Sequence, residues 1–295
     1  MLEPNWDLYR TFLAVLRAGS LSAAARVLNL AQPTVGRQID ALEAALGVKL
    51  FVRSQHGFLP TEHAQQLRPY AEALDATASA FLRAATSEAG EARGAVRIAA
   101  SEAVGVEVLP PILARLHQQY PLLQIELSLS NATEDLLRRE ADIAVRMVRP
   151  TQEALVARRV GVIELGLHAA RPYLERRGTP TTLAELANHT LIGFDHENLF
   201  IRRVKPLFGN LTRDMFAFRA DSDLAQLAAI RAGFGIGICQ ARVARRNPDL
   251  VRLLPDQMRI DLDTWVTMHE DLRESKRCSV VFAALVDGLE SYIQS

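Results

Sequence analysis

Three polar side chains near the start of a predicted helix have the chemistry to form directional hydrogen bonds with base edges of DNA. Thr34, Arg37 and Gln38 share the face of this helix that lies opposite its apolar stripe. In a major groove, which admits one helix, arginine pairs with guanine and glutamine with adenine. We therefore interpret Arg37 and Gln38 as base-reading candidates. The same triplet also suits the solvated face of an ordinary surface helix, and its spacing alone leaves both interpretations open.

Hydrophobic periodicity predicts two helices before the one that carries these residues. Apolar side chains from Trp6 to Leu16 recur at helical spacing, and Gly19 ends that helix. Ser20 then offers an N-cap to a short helix of small residues, which stops at Asn29. These small side chains let two helices cross closely.

The third helix and a β-hairpin complete the predicted N-terminal fold. Pro33 suits the first turn of a helix because the N–H that it lacks would have no partner there, and Gly47 ends the helix. Short strands at residues 50–53 and 56–59 follow, joined by a turn. Arg53 lies on this predicted wing, from which it can reach a DNA phosphate.

Six short motifs in this region occur in the order found in a known protein family. They are Ser20-Leu-Ser-Ala-Ala-Ala25, Gln32-Pro-Thr-Val, Arg37-Gln-Ile, Leu42-Glu, Leu46-Gly and Leu50-Phe-Val-Arg53. The region resembles the winged helix-turn-helix of bacterial LysR-type transcriptional regulators. The resemblance implies a DNA-binding set of residues, namely Ser22, Gln32, Pro33, Thr34, Arg37, Gln38 and Arg53.

Two departures from the family pattern affect the third helix. Ala31 and Gly36 stand where the family usually has serines. Ala31 cannot cap the helix, which costs about 0.5 to 2 kcal/mol, and a mid-helix glycine costs roughly 1 kcal/mol relative to alanine. We therefore expect a less rigid recognition helix than in the relatives.

A long helix from about Glu62 to Thr86 is predicted to carry a coiled-coil seam. Its apolar positions alternate by four and three residues, the spacing of such a seam, and they are Leu67, Ala71, Leu74, Ala78, Phe81 and Ala85. One helix cannot bury this stripe alone, so it packs either on its own sensor domain or on a second subunit. The resemblance favours the second subunit, in a homodimer or homotetramer. Pro69 should kink the helix or weaken one turn.

Short apolar segments alternate with helices in the C-terminal two thirds. Strands are predicted at 96–100, 125–129, 143–145, 164–169, 191–194, 216–220, 235–239 and 265–269, with helices such as 109–120 and 280–293. This order predicts an α/β fold with a mostly parallel sheet and two similar lobes.

Residues 130–146 and 221–238 resemble the effector domain of LysR-type regulators, which is similar to periplasmic solute-binding folds. The resemblance implies a ligand held between two lobes, which are joined by crossing strands near Val160-Gly161 and Asp263–Trp265. The expected domains are a winged helix-turn-helix at 1–61, a linker helix and hinge at 62–93 and a two-lobed α/β effector-binding domain at 94–295. Lobe I comprises about 94–161 and 266–295, and lobe II comprises about 162–265. The hinge itself is expected near 88–94.

Ligands of open α/β sheets lie beyond the carboxyl ends of the strands. Ser101, Ser130, Asn131 and Asp221 fall at such ends. Ser101 and Asn131 can donate to a carboxylate, whereas the adjacent Glu102 would favour an amine, so we expect an organic acid or an amino acid as the effector. The same residues also suit helix caps, and that alternative stays open.

Three further residues complete the candidate effector site. Arg146 ends a predicted strand and either pairs with an anionic effector or forms a structural ion pair with Asp142. Phe200 and Ile201 lie in a predicted loop of the second lobe, where they would form an apolar wall.

Composition limits the other classes of function. The chain has 34 Lys and Arg against 34 Asp and Glu, but the stretch from Asn5 to Arg68 holds seven basic and four acidic residues, which modestly supports a nucleic-acid partner. Cys239 and Cys278 form no CxxC and have no histidine at ligand spacing, so no disulfide, metal site or cofactor is expected. No apolar run approaches the roughly 18 residues that span a bilayer, so we expect a cytoplasmic protein without a membrane partner.

The usual enzymatic motifs do not appear in the sequence. Gly233-Phe-Gly235-Ile-Gly237 lacks the GxGxxG spacing, and neither a P-loop nor a GxSxG elbow is present. We therefore expect no enzyme and no catalytic residues, but a regulator that binds double-stranded promoter DNA and responds to a small molecule, with RNA polymerase as a further candidate partner. An architectural DNA-binding oligomer whose cleft has lost its ligand is the alternative.

Overall fold

The computed structural model describes residues 4–54, 57–85, 92–131, 141–150, 155–197, 199–204 and 212–294. Within these ranges only the backbone is described at residues 53, 54, 57, 76, 80, 82–85, 199, 200 and 203. The chain divides after Ala85 into two compact units. The predicted hinge near 88–94 lies largely outside the described residues.

The N-terminal unit begins with the three helices that the sequence predicts. They are α1 (Trp6–Ala18), α2 (Leu21–Leu28) and α3 (Gln32–Leu46). Gly19 ends α1 with a φ of 69°, in the left-handed region that side chains disfavour. The Ser20 hydroxyl accepts a hydrogen bond of 3.2 Å from the Ala23 N–H and thereby caps α2.

An apolar core holds these helices together. Helix α3 contributes Val35, Ile39 and Leu42, which are almost inaccessible to solvent, as the predicted stripe requires. Phe12 of α1 contacts Phe51, the first residue of the wing, with ring centroids 5.8 Å apart. Because one side of α3 is committed to this core, its opposite side faces outward.

The predicted wing is a two-stranded antiparallel hairpin. Its strands are β1 (Phe51–Ser54) and β2 (Gly57–Pro60). Phe51 and Phe58 stack with ring centroids 4.9 Å apart. The hairpin is therefore anchored on the same core as the helices.

A long helix, α4 (Glu62–Ala85), follows the wing and is continuous through Pro69. Its Asp75 accepts a hydrogen bond of 3.0 Å from Arg17 of α1. Both side chains are largely exposed, so this pair contributes little to stability. It nevertheless shows that α1 and α4 lie side by side.

The predicted seam of α4 divides into two parts. Ala71 is buried and Leu67 packs against the core of the N-terminal unit. Leu74 and Phe81 stay exposed, with 74% of Phe81 accessible. The stripe is predicted to pack on the sensor domain or on a second subunit. This prediction is wrong for its first half, Leu67 and Ala71, because α4 packs against α1 within the N-terminal unit.

The C-terminal unit combines strands and helices. Its strands are β3 (Gly94–Ala100), β4 (Leu123–Leu129), β5 (Ile143–Arg146), β6 (Leu155–Ala170), β7 (Leu191–Gly193), β8 (Phe216–Arg219), β9 (Gly237–Gln240), β10 (Leu250–Arg252) and β11 (Ile260–His269). Its helices are α5 (Glu102–Glu107), α6 (Leu109–Gln119), α7 (Arg171–Arg177), α8 (Leu199–Val204), α9 (Asp223–Arg231), α10 (Ala241–Arg245) and α11 (Lys276–Gln294). Each predicted strand overlaps one of these strands. No helix in the described part of the chain is long and apolar enough to cross a membrane.

Seven of the described strands form one mixed sheet. Its order is β10-β6-β11-β5-β3-β4, and β9 also pairs with β6. Strand β3 runs parallel to β4 and β5, whereas β11 runs antiparallel to β5 and β6. The prediction of a mostly parallel sheet is therefore wrong. The reason is that one long strand, β6, leaves the first half of the unit and the other, β11, returns to it.

The two long strands shift register at a glycine. Gly161 has a φ of 132° and pairs with Thr264, next to the register shift between Thr264 and Trp265. A Cβ at position 161 would lie 2.8 Å from Cγ2 of Ile293, so only glycine lets α11 pack this closely. The segments predicted to cross therefore pair with each other at this irregularity. The division into lobe I and lobe II stays a prediction.

One hydrophobic cluster extends across most of the C-terminal unit. Ile98 of β3 and Leu285 of α11 belong to it, together with Ile230 of α9 and Val243 of α10. Helices α9 and α10 fall in the range predicted as lobe II, yet they share their core with elements predicted as lobe I. The two halves of the unit are thus joined by apolar burial as well as by strands.

A buried carboxylate connects α3 to the wing. Glu43 Oε1 accepts hydrogen bonds from the N–H groups of Leu50 (2.9 Å) and Phe51 (3.2 Å), and Oε2 lies 2.5 Å from Lys49 Nζ. Burial alone would raise the pKa of Glu43, but the bonds from Lys49 and from the two N–H groups hold that pKa below its ordinary value of 4.5. This contact fixes the wing relative to α3.

We predict that Glu43→Ala destabilises the N-terminal unit by about 1 to 3 kcal/mol, because two buried N–H groups lose their acceptor. Glu43→Gln retains one acceptor oxygen and should cost less. Since the folded-state pKa lies below that of the unfolded chain, the carboxylate stabilises fully above pH 4.5 and loses this effect as the pH falls through the folded-state value. Hydrogen-exchange protection of the Leu50 and Phe51 amides, followed from neutral to acidic pH, measures both effects. Unchanged protection in Glu43→Ala would contradict the prediction.

Candidate functional site

The outward face of α3 carries the residues predicted to read DNA. Gln32, Pro33 and Arg37 are exposed, and Thr34 and Gln38 are half-exposed. This face lies opposite the buried stripe of the helix. The N-terminal unit therefore presents the polar face of one helix, and a major groove admits one helix.

The start of α3 lacks a side-chain cap, as the sequence predicts. Ala31 occupies the N-cap position and offers no side-chain acceptor, so its carbonyl accepts from the N–H groups of Thr34 (2.9 Å) and Val35 (3.2 Å). A Cβ added at Gly36 would meet only Leu21 Cδ1, at 3.9 Å. Packing within the chain therefore does not require a glycine at that position.

Hydroxyl groups hold the two glutamines of this surface. Ser22 Oγ donates to Gln32 Oε1 at 3.0 Å, and Thr11 Oγ1 donates to Gln38 Oε1 at 2.7 Å. Ser22 and Gln32 are exposed, whereas Thr11 is only 1% exposed. Thr11 is not among the residues predicted from the sequence, although a threonine at a buried position of an apolar helix indicates a polar partner elsewhere.

Arg53 lies on the wing, as predicted. Its backbone pairs with Phe58 across the hairpin. Its side chain lies outside the described part of the chain, so its proposed phosphate contact stays a prediction.

In the C-terminal unit, predicted effector residues meet at the carboxyl ends of β3, β4 and β5. The Ser130 N–H donates to the Ala100 carbonyl at 3.0 Å, and Arg146 Nη1 donates to the Ser130 carbonyl at 3.0 Å. Ser101 Oγ lies 3.8 Å from Met147 Sδ. Ser101, Ser130 and Arg146 are thus brought together, as expected from the strand order.

Glu102 and Asn131 join this group and link it to α9. The Glu102 N–H donates to Asn131 Oδ1 at 3.1 Å, and Glu102 Oε2 accepts a hydrogen bond of 2.6 Å from Ser222 Oγ. Ser222 also caps α9 by accepting from the Ala225 N–H at 3.3 Å. Ser222 is not among the residues predicted from the sequence, although a serine directly before a helix is a standard N-cap signal.

Asp223, which the sequence analysis also missed, places a second carboxyl beside Glu102. Burial raises the pKa of Asp223 to about 6, the negative charge of Glu102 adds to this, and a hydrogen bond with Asn131 opposes it. The starts of α5 and α9 therefore bring together two acidic groups, Glu102 and Asp223, with the amide of Asn131 and the hydroxyl of Ser222. Such a set can bind an ammonium group or exchange a proton.

Asp221 supports a neighbouring turn. Its carboxylate accepts from the N–H groups of Asp195 (3.0 Å) and His196 (2.9 Å) and lies 2.6 Å from His196 Nδ1. Burial would raise the pKa of Asp221, but the bonds from His196 and Asp195 outweigh it and lower that pKa. The bond to Asp221 raises the pKa of His196. These contacts favour the structural interpretation of Asp221 over direct effector binding.

The remaining effector candidates are Arg146, Phe200 and Ile201. Arg146 is buried, and Asp142 Oδ2 accepts a hydrogen bond of 2.8 Å from the Arg97 N–H. The two interpretations of Arg146, an anionic effector or an ion pair with Asp142, stay predictions. Phe200 and Ile201 lie in helix α8 and not in a loop. The side chain of Phe200 lies outside the described part, and Ile201 is half-buried.

The two cysteines are buried and reduced. Cys239 Sγ lies 3.4 Å from Nδ1 of His168, which comes from the neighbouring strand β6 and not from a nearby position in the sequence. Burial lowers the pKa of His168 to about 4 and raises the pKa of Cys239 to about 12, so both are neutral near pH 7. Within the described ranges, no three His, Cys, Asp or Glu side chains are grouped as metal ligands.

Individual relatives resemble the chain over much of its length. An HTH-type transcriptional regulator of Xanthomonas campestris pv. campestris (strain 8004) is 33% identical over 185 residues, which are 60% of this chain and 52% of the relative. The match thus spans about half the length of that relative. The full-length structure of the Vibrio cholerae virulence activator AphB has a TM-score of 0.62 and 23% identity, covering 96% of this chain and 99% of AphB. Full-length CbnR in complex with its target DNA has a TM-score of 0.58 and 21% identity, covering 98% and 99%. These structures share the fold.

Two regions of the chain also match family models. Residues 6–65 match the family described as bacterial regulatory helix-turn-helix protein, lysR family, and residues 89–290 match the LysR substrate binding domain. The second match alone spans more than half of the chain, and the first contains α1 to α3 and the wing. The chain therefore belongs to the LysR family of bacterial transcriptional regulators, which are DNA-binding proteins and not enzymes.

Proposed function

We propose that this protein binds promoter DNA as a homodimer or homotetramer and changes its DNA complex when a small organic acid or amino acid enters the C-terminal cleft. The observation that carries this proposal is the outward face of α3, where Arg37 is exposed opposite a fully buried stripe. The fold is shared with CbnR, whose structure contains target DNA. Such a regulator acts in the bacterial cytoplasm, where the chromosome lies.

The chemistry of DNA binding divides between base contacts and phosphate contacts. Arg37 can donate two hydrogen bonds to O6 and N7 of guanine. Ser22, Gln32, Pro33 and Thr34 surround the start of α3, where backbone N–H groups favour a phosphate. Two copies of α3 in a dimer would read two half-sites of a pseudo-palindrome. Base contacts then select the site, and phosphate contacts fix the register.

Effector binding is supported by the polar groups at the start of α5 and α9. Ser101 and Asn131 suit a carboxylate, whereas Glu102 and Asp223 suit an amine, which together favour an amino acid within the expected class. A ligand that changes the contact between these helices would change how the two dimer halves are spaced on DNA. Couplings of this kind are typically about 1 to 3 kcal/mol.

One observation favours a second function, that of an architectural DNA-binding oligomer without an effector. Asn131 already accepts from the Glu102 N–H, and the Glu102 carboxylate already accepts from Ser222, within the chain. Because the polar groups of the cleft already have partners within the chain, the cleft can stay closed without a ligand. Screening amino acids and organic acids for a thermal shift separates the two functions, because the architectural protein would show none.

We predict that the purified protein binds DNA from upstream of its own gene at least about a hundredfold more tightly than a scrambled duplex, a lower limit set beneath the usual ratio of about 10³ to 10⁷ for specific sites. Fluorescence anisotropy at two salt concentrations measures both affinities.

Arg37→Ala should cost about 1 to 3 kcal/mol of binding free energy at one base position, whereas Arg53→Ala should weaken binding to all sequences similarly and flatten its salt dependence. Equal and sequence-blind losses in both variants would exclude Arg37 as a base reader.

The exposed half of the α4 seam gives a second prediction. Burial of a phenylalanine contributes about 1.5 to 3 kcal/mol, so Phe81→Asp should weaken dimerisation by more than about tenfold. Val27→Asp is the matched control, because Val27 on α2 is also 74% exposed and lies off the seam. Sedimentation at several protein concentrations measures the dissociation constant. If both variants dimerise like the wild type, the contact lies elsewhere.

Asp223 and its neighbour Asp221 give a third prediction, in which the same Asp→Asn change has opposite effects on the stability of the fold. The pKa of Asp223 in the folded chain is about 6, above its ordinary 3.8, so its ionisation destabilises the fold increasingly as the pH rises between these values. Asp223→Asn should therefore stabilise the ligand-free protein near pH 7 by about 1 to 3 kcal/mol, with no gain below pH 3.8.

Asp221→Asn is the control for this prediction. The pKa of Asp221 is lowered, so its charge stabilises the fold and its removal should lower the melting temperature. Thermal unfolding followed by Trp265 fluorescence in a Trp6→Phe background reports on the C-terminal unit, because Trp6 of the N-terminal unit no longer contributes. A lower melting temperature for both variants near pH 7 would contradict the assignment of Asp223 as an unfavourably buried acid.

A further inference from the structure

A buried hydroxyl holds the side-chain amide of Gln38 in one orientation. Thr11 Oγ1, on α1, donates to Gln38 Oε1 at 2.7 Å. Thr11 is 1% exposed, whereas Gln38 lies at the border between the buried stripe of α3 and its outward face. The oxygen end of the amide therefore points inward, toward α1. The –NH₂ end is left for the outward side.

This orientation matters because adenine recognition uses both ends of a glutamine amide. The amide oxygen accepts from N6 of adenine while the –NH₂ group donates to N7. With its oxygen turned toward Thr11, Gln38 presents donors to the groove. Donors match O6 and N7 of guanine, or O4 of thymine, whereas at adenine they reach only N7 and leave the N6 donor without an acceptor.

The bond is sheltered in a way that the second hydroxyl–glutamine pair is not. Ser22 and Gln32 are both exposed, so water competes for their hydrogen bond. The bond between Thr11 and Gln38 lies between two packed helices, where the low local dielectric strengthens it. Thr11 is therefore suited to fix an orientation that solvent would otherwise average.

We propose that Thr11 is a positioning residue that sets the base preference of Gln38, so that Gln38 recognises an acceptor of guanine or thymine and not adenine. This proposal rests on the proposed DNA-binding function. It replaces the pairing with adenine that the residue type of Gln38 alone predicts. It also assigns a specificity role to a side chain that itself stays buried beneath the DNA-reading surface.

The test is selection by the full-length protein from a pool of DNA duplexes with a randomised core, followed by sequencing. Gln38→Ala identifies the base position that depends on Gln38, where the wild type should enrich guanine or thymine. Thr11→Val keeps the shape of the side chain but removes the hydroxyl, which lets the amide turn. Adenine should then rise about tenfold at that position. Thr11→Ser restores a hydroxyl and should keep the wild-type preference.

Two further variants separate positioning from a general effect on folding. In a Gln38→Ala background, Thr11→Val should change the base profile no further, because it acts through Gln38. Gln38→Glu presents only acceptors and should shift the preference to cytosine, whose N4 group donates. This second result does not depend on whether Thr11→Val folds. Melting temperatures of all variants provide the control for stability.

Each outcome decides the proposal. Adenine at the Gln38-dependent position of the wild type would overturn it, as would an unchanged profile in a Thr11→Val protein whose melting temperature shows that it is folded. If the wild type enriches a sequence that no Gln38 variant alters, this proposal fails and the DNA-binding function stands. If the wild type enriches no sequence, the proposed function fails, and the role of Thr11 fails with it.

Discussion

A buried backbone N–H group without an acceptor costs about 1 to 3 kcal/mol, and this chain meets that requirement with side chains from distant positions. Glu43 serves two N–H groups at the start of the wing. Asp142 likewise serves the partly buried N–H of Arg97 in β3, and Asn131 accepts from the N–H of Glu102 in a more exposed position. Each bond joins two elements and fixes their relative position, because a hydrogen bond is directional whereas apolar contacts are not. The core supplies burial, and these polar bonds set the relative placement of the elements that carry the sites.

Local signals made much of the fold predictable, whereas contacts between distant segments were not. Ser20 and Gly19 act at the ends of helices where their residue types predict it, and the apolar stripe of α3 is buried as its spacing requires. Helical periodicity shows which face is buried but not which residue meets it. The roles of Glu43 and Thr11 depend on partners from other elements, and the direction of β11 depends on the path of the whole unit. The same limit applies to Asp223, whose environment comes from α5.

Opening the proposed effector cleft costs free energy, because hydrogen bonds within the chain hold it closed. Ser222 donates to Glu102, and Asn131 accepts from the backbone at the start of α5. A ligand that enters must replace these bonds, so its apparent affinity is reduced by the free energy of opening. A ligand with a matching amine and carboxylate recovers that free energy, whereas an apolar molecule of the same size does not. Selectivity would then come from the bonds that are broken as much as from those that form.

Helix α4 belongs to the core of the DNA-binding unit as well as to the proposed dimer contact, since Ala71 is buried there while Phe81 is exposed. A recombination event that joined this unit to a new sensor would preserve its fold only if the joint lay beyond Ala71. Any joint after Phe81 would also carry the dimer contact along. Operator reading and subunit pairing would then be inherited as one module, and the sensor would be the part that evolution can exchange.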